Sequence, residues 1–341
     1  MGKDKNSTSI HRFRLIRMVV AFAITILIVL YGISSGTIDF TWQQVWGVLR
    51  GSKTEGLAHQ IIWNVRAPRV LTGMLAGMNL AVAGSLLQGI LRNPMASPNI
   101  IGVNAGAGLA AVVMMVVFPG AIRYLPVASF LGALMAAMVI YLLSMRRETA
   151  SATVHLVLAG VALSAFFNAV TSGLMTLNAD ELEVTYNWLL GSLSGRGWPY
   201  FYTLLPYSVA GLLLAIFISP KVNLFVLGEE MGNSIGISVY WYRTAMIGIA
   251  AVLAGSAVSV AGTIGFVGLI APHMARLIIG ADYRYQIPMA AILGGGLLIL
   301  SDTVARIIFQ PFELSVGVVT SILGAPFFLY LLYQKRSANL F

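Results

Sequence analysis

Asp302 and Arg306 stand four residues apart in the apolar stretch 287–308, a spacing that puts both on one face of a helix. Charges at that depth are expensive, so the pair reads either as an internal ion pair or as a functional group. The four histidines, His11, His59, His155 and His273, are isolated from one another. His155 and His273 fall inside apolar stretches and are expected to be interhelical hydrogen-bond partners. There is no HExxH and no paired intramembrane carboxylate, so zinc and aspartyl intramembrane protease readings lack their residues. The absence of cysteine removes disulfides, thiolate metal sites and cysteine nucleophiles. No GxxxxGK[ST] occurs, so ATP is not held by this chain in the usual way and any ATP-driven step needs another subunit.

Three stretches carry further signals. In R-N-P-M-A-S-P at 92–98, two prolines forbid a continuous helix and fix a sharp turn. Its polar Asn93 beside bulky Met95 would suit a constriction as well as a plain turn. The stretch 224–243, LFVLGEEMGNSIGISVYWYR, predicts a short helix with Leu227, Met231 and Ile235 on one face. Glu229 and Glu230 fit its first turn, and Gly228 and Gly236 flank its polar centre, with Gly236 placed to end it. One narrow apolar stripe on a polar helix needs a surface to lie against; taken alone, a connecting loop on the membrane serves as well. Arg66 and Arg69 sit three apart around Pro68, which suits a first helical turn, and Arg306 falls at the same membrane level. Snorkelling to lipid headgroups is the plain reading of those three.

The elements that position these residues are membrane helices. Of 341 residues, 58% are hydrophobic and 10% charged, against about 25% charged in a soluble domain. Apolar runs end near 33 and cover 66–88, 99–118, 125–144, 152–176, 198–219, 242–261, 264–280, 287–308 and 315–333, each near the ~20 residues that span a bilayer. The expected fold class is therefore an all-α polytopic membrane protein of about ten spans, a single domain over 1–341 with a cytoplasmic tail (1–14) and a cytoplasmic loop (220–241). Between spans one and two, Trp42, Val45, Trp46 and Leu49 make an amphipathic stripe behind a Thr41/Gln44 capping box, an interfacial helix. A second short outer helix is expected within 184–193. Gly73, Gly77, Ala81 and Ser85 form a small-residue stripe on span two, as do Gly102, Gly106 and Ala110 on span three, which lets backbones approach closely. With the N-terminus inside, 14 of the 21 Lys and Arg residues fall inside and 7 outside, which places both termini and 220–241 in the cytoplasm. The formal charge of +9 is explained by that bias, and no nucleic-acid partner is expected.

Together these stretches resemble the permease family of bacterial ABC importers for iron–siderophore complexes and cobalamin. The resemblance is carried by R-A-P-R at 66–69, N-P-M-A-S-P-N-I-I-G at 93–102 and L-G-E-E-M-G-N-S-I-G at 227–236. It continues with G-T-I-G-F-V-G-L-I-A-P-H-M-A-R at 262–276, D-T-V-A-R at 302–306 and G-V-V-T-S-I-L-G-A-P-F-F at 317–328. Ser315 departs from it, standing where the family usually has proline.

The resemblance implies a ten-helix, BtuC-like subunit of the bacterial plasma membrane that pairs with a second copy or a paralogue. Two ATP-binding subunits, which hold ATP and Mg, would dock below, and an extracytoplasmic substrate-binding protein above. In that setting Leu227, Gly228, Glu229, Glu230, Met231, Ile235 and Gly236 would form the coupling helix seated in the ATPase. Asn93 and Met95, with Thr149 and Ser151 of the next cytoplasmic loop, would form the inner gate, and span five would line the path. Arg66, Arg69 and Arg306 would receive acidic residues of the binding protein. The implied cargo is a ferric siderophore, with cobalamin or haem as alternatives. A secondary transporter, from a different class, would need an intramembrane carboxylate free to carry a coupling ion. Asp302 is the acidic residue placed well within a span, and it has an arginine beside it.

Overall fold

The structure, a computed structural model, describes residues 3–36, 38, 40–52, 55–144, 152–178, 180, 182–227 and 238–338. Its principal helices are α1 (Lys3–Ser34), α2 (Trp42–Leu49), α3 (Leu57–Ile61), α4 (Ala67–Ile90), α5 (Val103–Val117), α6 (Leu125–Ser144) and α7 (Ala152–Leu177). They continue as α8 (Leu182–Leu189), α9 (Trp198–Leu227), α10 (Val239–Ala261), α11 (Val267–Ile279), α12 (Tyr283–Ile307) and α13 (Val316–Ala338). Among the described residues 7 helical stretches are long and apolar enough to cross a membrane, and α5, α11 and the Val316–Tyr330 part of α13 are shorter apolar helices. These ten correspond one to one with the expected spans.

Helix α4 is the axis of the bundle: 21 of its 24 residues are buried, against α9, α10, α11 and α12. Its small residues make this possible. A Cβ on Gly77 would lie 2.2 Å from the Gly294 carbonyl oxygen of α12. A Cβ on Gly84 would lie 1.8 Å from the Gly268 carbonyl oxygen of α11. That oxygen lacks its usual i+4 donor, because residue 272 is proline, and it rests on the bare Cα of Gly84 instead. The stripe on α5 works the same way, with Gly106 against Gly132 of α6. By contrast, α1, α7 and α9 present long apolar faces to the outside of this subunit.

Several boundaries differ from the expected ones. Span two does not start near Pro68: the helix begins at Leu57 and passes through a π turn, Ile62–Arg66, into α4. The wide turn absorbs the missing N–H of Pro68. The span expected to end at 219 runs on to Leu227 through Pro220 and Lys221, so 220–227 belongs to α9 and not to a loop. Ser219 Oγ donates to the Ile216 carbonyl at 2.7 Å, replacing the backbone bond that Pro220 cannot give. Span three starts at Val103, after a 3-10 turn (Pro98–Ile101) and a left-handed Gly102 (φ 70°). Helix α8 ends at Leu189, short of the expected limit of 193. The interfacial helix α2 is as expected, with both halves of the Thr41/Gln44 capping box formed.

Candidate functional site

The end of the bundle where α1 finishes is the one that the charge asymmetry assigns to the outside, and it is called the outer end after that assignment. Here three helices and a loop converge on four charges. Arg69 of α4 donates through Nε to both oxygens of Asp302 (3.2 and 3.1 Å) and through Nη2 to Oδ1 (2.9 Å). Asp302 of α12 is 2% exposed and also ion-paired at 3.2 Å with Arg306 Nε one turn further on. The remaining guanidinium nitrogen of Arg69, Nη1, donates to Glu313 Oε2 at 2.8 Å. Glu313 belongs to the 308–315 connection between α12 and α13, and its side chain is 36% exposed.

Arg66 and Arg306 turn instead to the end of α1, a helix with no basic residue of its own in its last turn. Arg306 donates to the carbonyls of Gly32 (2.9 Å) and Ser35 (3.1 Å). Arg66 donates to the carbonyls of Ile33, Ser34 and Ile38, and its guanidinium lies over the Phe40 ring. Cations at a helix C-terminus satisfy orphan carbonyls and oppose the negative end of the helix dipole.

All three arginines are buried. The structure thereby corrects the snorkelling reading, since these side chains are held inside the fold and do not reach out to headgroups. Asp302 with Arg306 is the internal pair that the spacing predicted. Arg69 and Glu313 were not predicted as its partners, because they lie 233 residues from Asp302 and 244 from Arg69 respectively, and no local spacing encodes either contact.

At the opposite, inner end lies the proline turn. Asn93 is exposed and accepts from the Met95 backbone N–H through Oδ1 at 2.9 Å, a self-closed turn; Met95 is half-buried. The residue before it, Arg92, takes a left-handed conformation (φ 49°) that a side chain adopts only with support. That support is visible: Arg92 Nε donates at 2.7 Å to the carbonyl of Phe225, in the last turn of α9. Nearby, Asn223 of α9 donates to Asp282 Oδ1 (2.8 Å) and accepts from the Tyr283 backbone N–H (2.9 Å) at the start of α12. Arg284 and Arg14 complete the surroundings of Asp282 at 2.8 and 3.7 Å. Burial raises the Asp282 carboxyl, but hydrogen bonds from Arg284 and Asn223 outweigh it and hold the group down at about 2.

Of the residues expected to couple to an ATPase, Leu227 is the last residue of α9; Gly228, Glu229, Glu230, Met231, Ile235 and Gly236 lie outside the described residues. Thr149 and Ser151 do too. His273 does not make the expected interhelical hydrogen bond through Nδ1, which is buried without a partner among the described residues; its ring packs edge-on to Phe327. Among the described residues no group of three or more His, Asp or Glu could hold a metal ion.

The fold of this bundle of apolar spans, with charges gathered at its two ends, is that of an ABC transporter permease. A solved inward-facing ABC transporter, described as of metal-chelate type, matches it with a TM-score of 0.83 and 26% identity over 93% of this chain and 98% of that one. The chain belongs to the FecCD transport family, whose sequence profile matches residues 4–334. It is 37% identical over 330 residues to the Fe(3+)-citrate import system permease YfmD of Bacillus subtilis, covering 95% of this chain and 96% of that protein. It is 39% identical over 280 residues to the cobalamin import system permease BtuC of Halobacterium salinarum, covering 82% and 75%. This is therefore a multi-pass membrane permease of an ABC importer, a non-catalytic subunit that works with an ATPase and a binding protein.

Proposed function

We propose that this permease carries ferric siderophore complexes across the bacterial plasma membrane, from an extracytoplasmic binding protein to the cytoplasm, driven by ATP hydrolysed on two partner subunits. The observation that carries the cargo is the similarity along nearly the whole chain to a ferric-citrate permease. Cobalamin is the second reading, favoured by the similarity to a cobalamin permease. Proton-coupled secondary transport is disfavoured because both oxygens of Asp302 face guanidinium groups. Within this reading the segment after Leu227, with Glu229, Glu230, Met231, Ile235 and Gly236, seats in the ATPase. Asn93 and Met95, with Thr149 and Ser151, close the inner mouth, and Arg66, Arg69 and Arg306 form the anchor for the binding protein. The test is uptake by a strain lacking the gene, supplied in turn with radiolabelled ferric citrate, ferric hydroxamate, ferric catecholate and labelled cobalamin. Loss of one ferric complex, restored by the gene, supports the proposal; loss of cobalamin alone replaces it with the second reading.

A further inference from the structure

The two carboxylates of the outer cluster are not equivalent. Asp302 sits inside α12, 2% exposed, and serves Arg69 and Arg306 together, so it is a fixed part of the fold. Glu313 sits on the 308–315 connection, 36% exposed, and touches the cluster through one atom pair, Oε2 to Arg69 Nη1 at 2.8 Å. Of the two partners in that contact, Glu313 is the one open to solvent, since the Arg69 side chain is 7% exposed. Arg69 and Arg306 face Asp302 and Glu313 here, so Glu313 is the carboxylate that balances the cluster's second positive charge. Around it the connection exposes Ile308, Phe309 and Phe312, an apolar rim beside a charged centre. Exposed aromatic side chains of this kind are enriched at protein interfaces.

We propose that Glu313 is a built-in stand-in for the carboxylate of a docking protein: it occupies Arg69 Nη1 while the outer face is free and yields that atom to an acidic side chain of the partner. The proposal rests on the reading of Arg66, Arg69 and Arg306 as the binding-protein anchor, and it explains how buried arginines can serve one. The incoming carboxylate needs no new partner inside the fold, because it replaces a group of the same chemistry on the same nitrogen. The exchange also releases the 308–315 connection, which is otherwise held to α12 by the Leu314 N–H to Ala305 carbonyl bond (3.0 Å). Docking is thereby kept reversible, since Glu313 competes for the same nitrogen whenever the partner leaves.

The experiment measures affinity between the purified permease–ATPase complex in nanodiscs and the cargo-free substrate-binding protein encoded in the same operon, across a salt series. Glu313→Gln keeps the size of the side chain and removes its charge. The expected result is tighter binding by roughly two- to fivefold, the range for one partly exposed ion pair, with a steeper loss of affinity as salt rises. A Glu313 that merely pins the connection predicts the opposite sign, so unchanged or weaker binding overturns the proposal. Arg69→Lys, which keeps the charge opposite Asp302, separates the two readings. If it leaves affinity and salt slope unchanged, the anchor reading falls and this proposal with it. If it weakens binding while Glu313→Gln does not strengthen it, the anchor stands and only the stand-in is wrong.

Discussion

The two ends of the bundle hold their helices together by different means. At the outer end the centre is a buried charge cluster: Arg69, Asp302 and Arg306 are buried and mutually charged, so each depends on the others being present. At the inner end the joining contacts are separate hydrogen bonds, from Arg92 to the Phe225 carbonyl, from the Tyr283 N–H to Asn223 and from Asn223 to Asp282. The carboxylate there, Asp282, is partly exposed and shared between Arg284 and Arg14, which are themselves partly exposed. A buried charge cluster fixes helix positions and fails abruptly when one member is lost. Hydrogen bonds near water lose little when broken, because water replaces the partner. The contrast suits a machine whose outer face is a fixed platform and whose inner face must rearrange.

That contrast can be broken most sharply at Asp302. Asp302→Asn should destabilise the protein by about 3–5 kcal/mol, because two buried guanidiniums lose their counter-charge. The check is monodispersity and melting temperature of the detergent-solubilised protein. Replacing Arg69, Asp302 and Arg306 together by apolar residues should recover part of the loss; failure to recover any would mean that the α1 carbonyl bonds of Arg306 matter more than the pairing.

The next largest effect is expected at the inner end and in function, not stability. Met231→Asp, within the proposed coupling stretch, should lower transport by more than about tenfold, since a lone carboxylate in an apolar contact costs several kcal/mol. Melting temperature should stay near that of the unmodified protein. Cargo uptake and ATP hydrolysis in proteoliposomes report this together, and wild-type rates in both would remove the segment from the coupling path.

A smaller and more diagnostic change is Arg92→Gly. Glycine accepts the left-handed backbone without strain, a gain of about 1 kcal/mol, while the bond to Phe225 is lost. Stability should therefore hold or rise slightly as the ratio of cargo moved to ATP hydrolysed falls. A fall in stability with an unchanged ratio would make Arg92 a fastening of the fold and nothing more.

The last effect, at Asp282, depends on pH. Asp282→Asn should cost about 1–2 kcal/mol, because the partner Arg284 is exposed and Asn can keep the cap on α12. Its folded-state carboxyl lies at about 2, below the unfolded value of 3.8, so its contribution is complete above about pH 4 and is lost as pH falls towards 2. Melting curves of the two proteins should therefore differ at neutral pH and converge near pH 2.

Much of this was legible in the sequence where the signal is local. The ten spans follow from length and hydropathy, the capping box of α2 from Thr41 and Gln44, and the Asp302–Arg306 pair from a spacing of four. What was not legible depends on side chains arriving from afar or on a local repair. Arg69 joins Asp302 across 233 residues. Arg66 and Arg306 were read as surface groups because nothing in their neighbourhood reveals that α1 ends beside them. Helix α9 was cut short at Pro220 because a proline normally ends a helix, and the rescue comes from the hydroxyl of the preceding serine.

The contact of Gly84 with the carbonyl oxygen of Gly268 works as a key in a lock between α4 and α11. Turning either helix about its own axis would carry an oxygen without its helical donor into surroundings that offer none, at a depth where such an orphan costs several kcal/mol. The fit therefore sets the rotation of α4 and α11 about their own axes relative to each other, a constraint that a side chain larger than hydrogen at position 84 would remove.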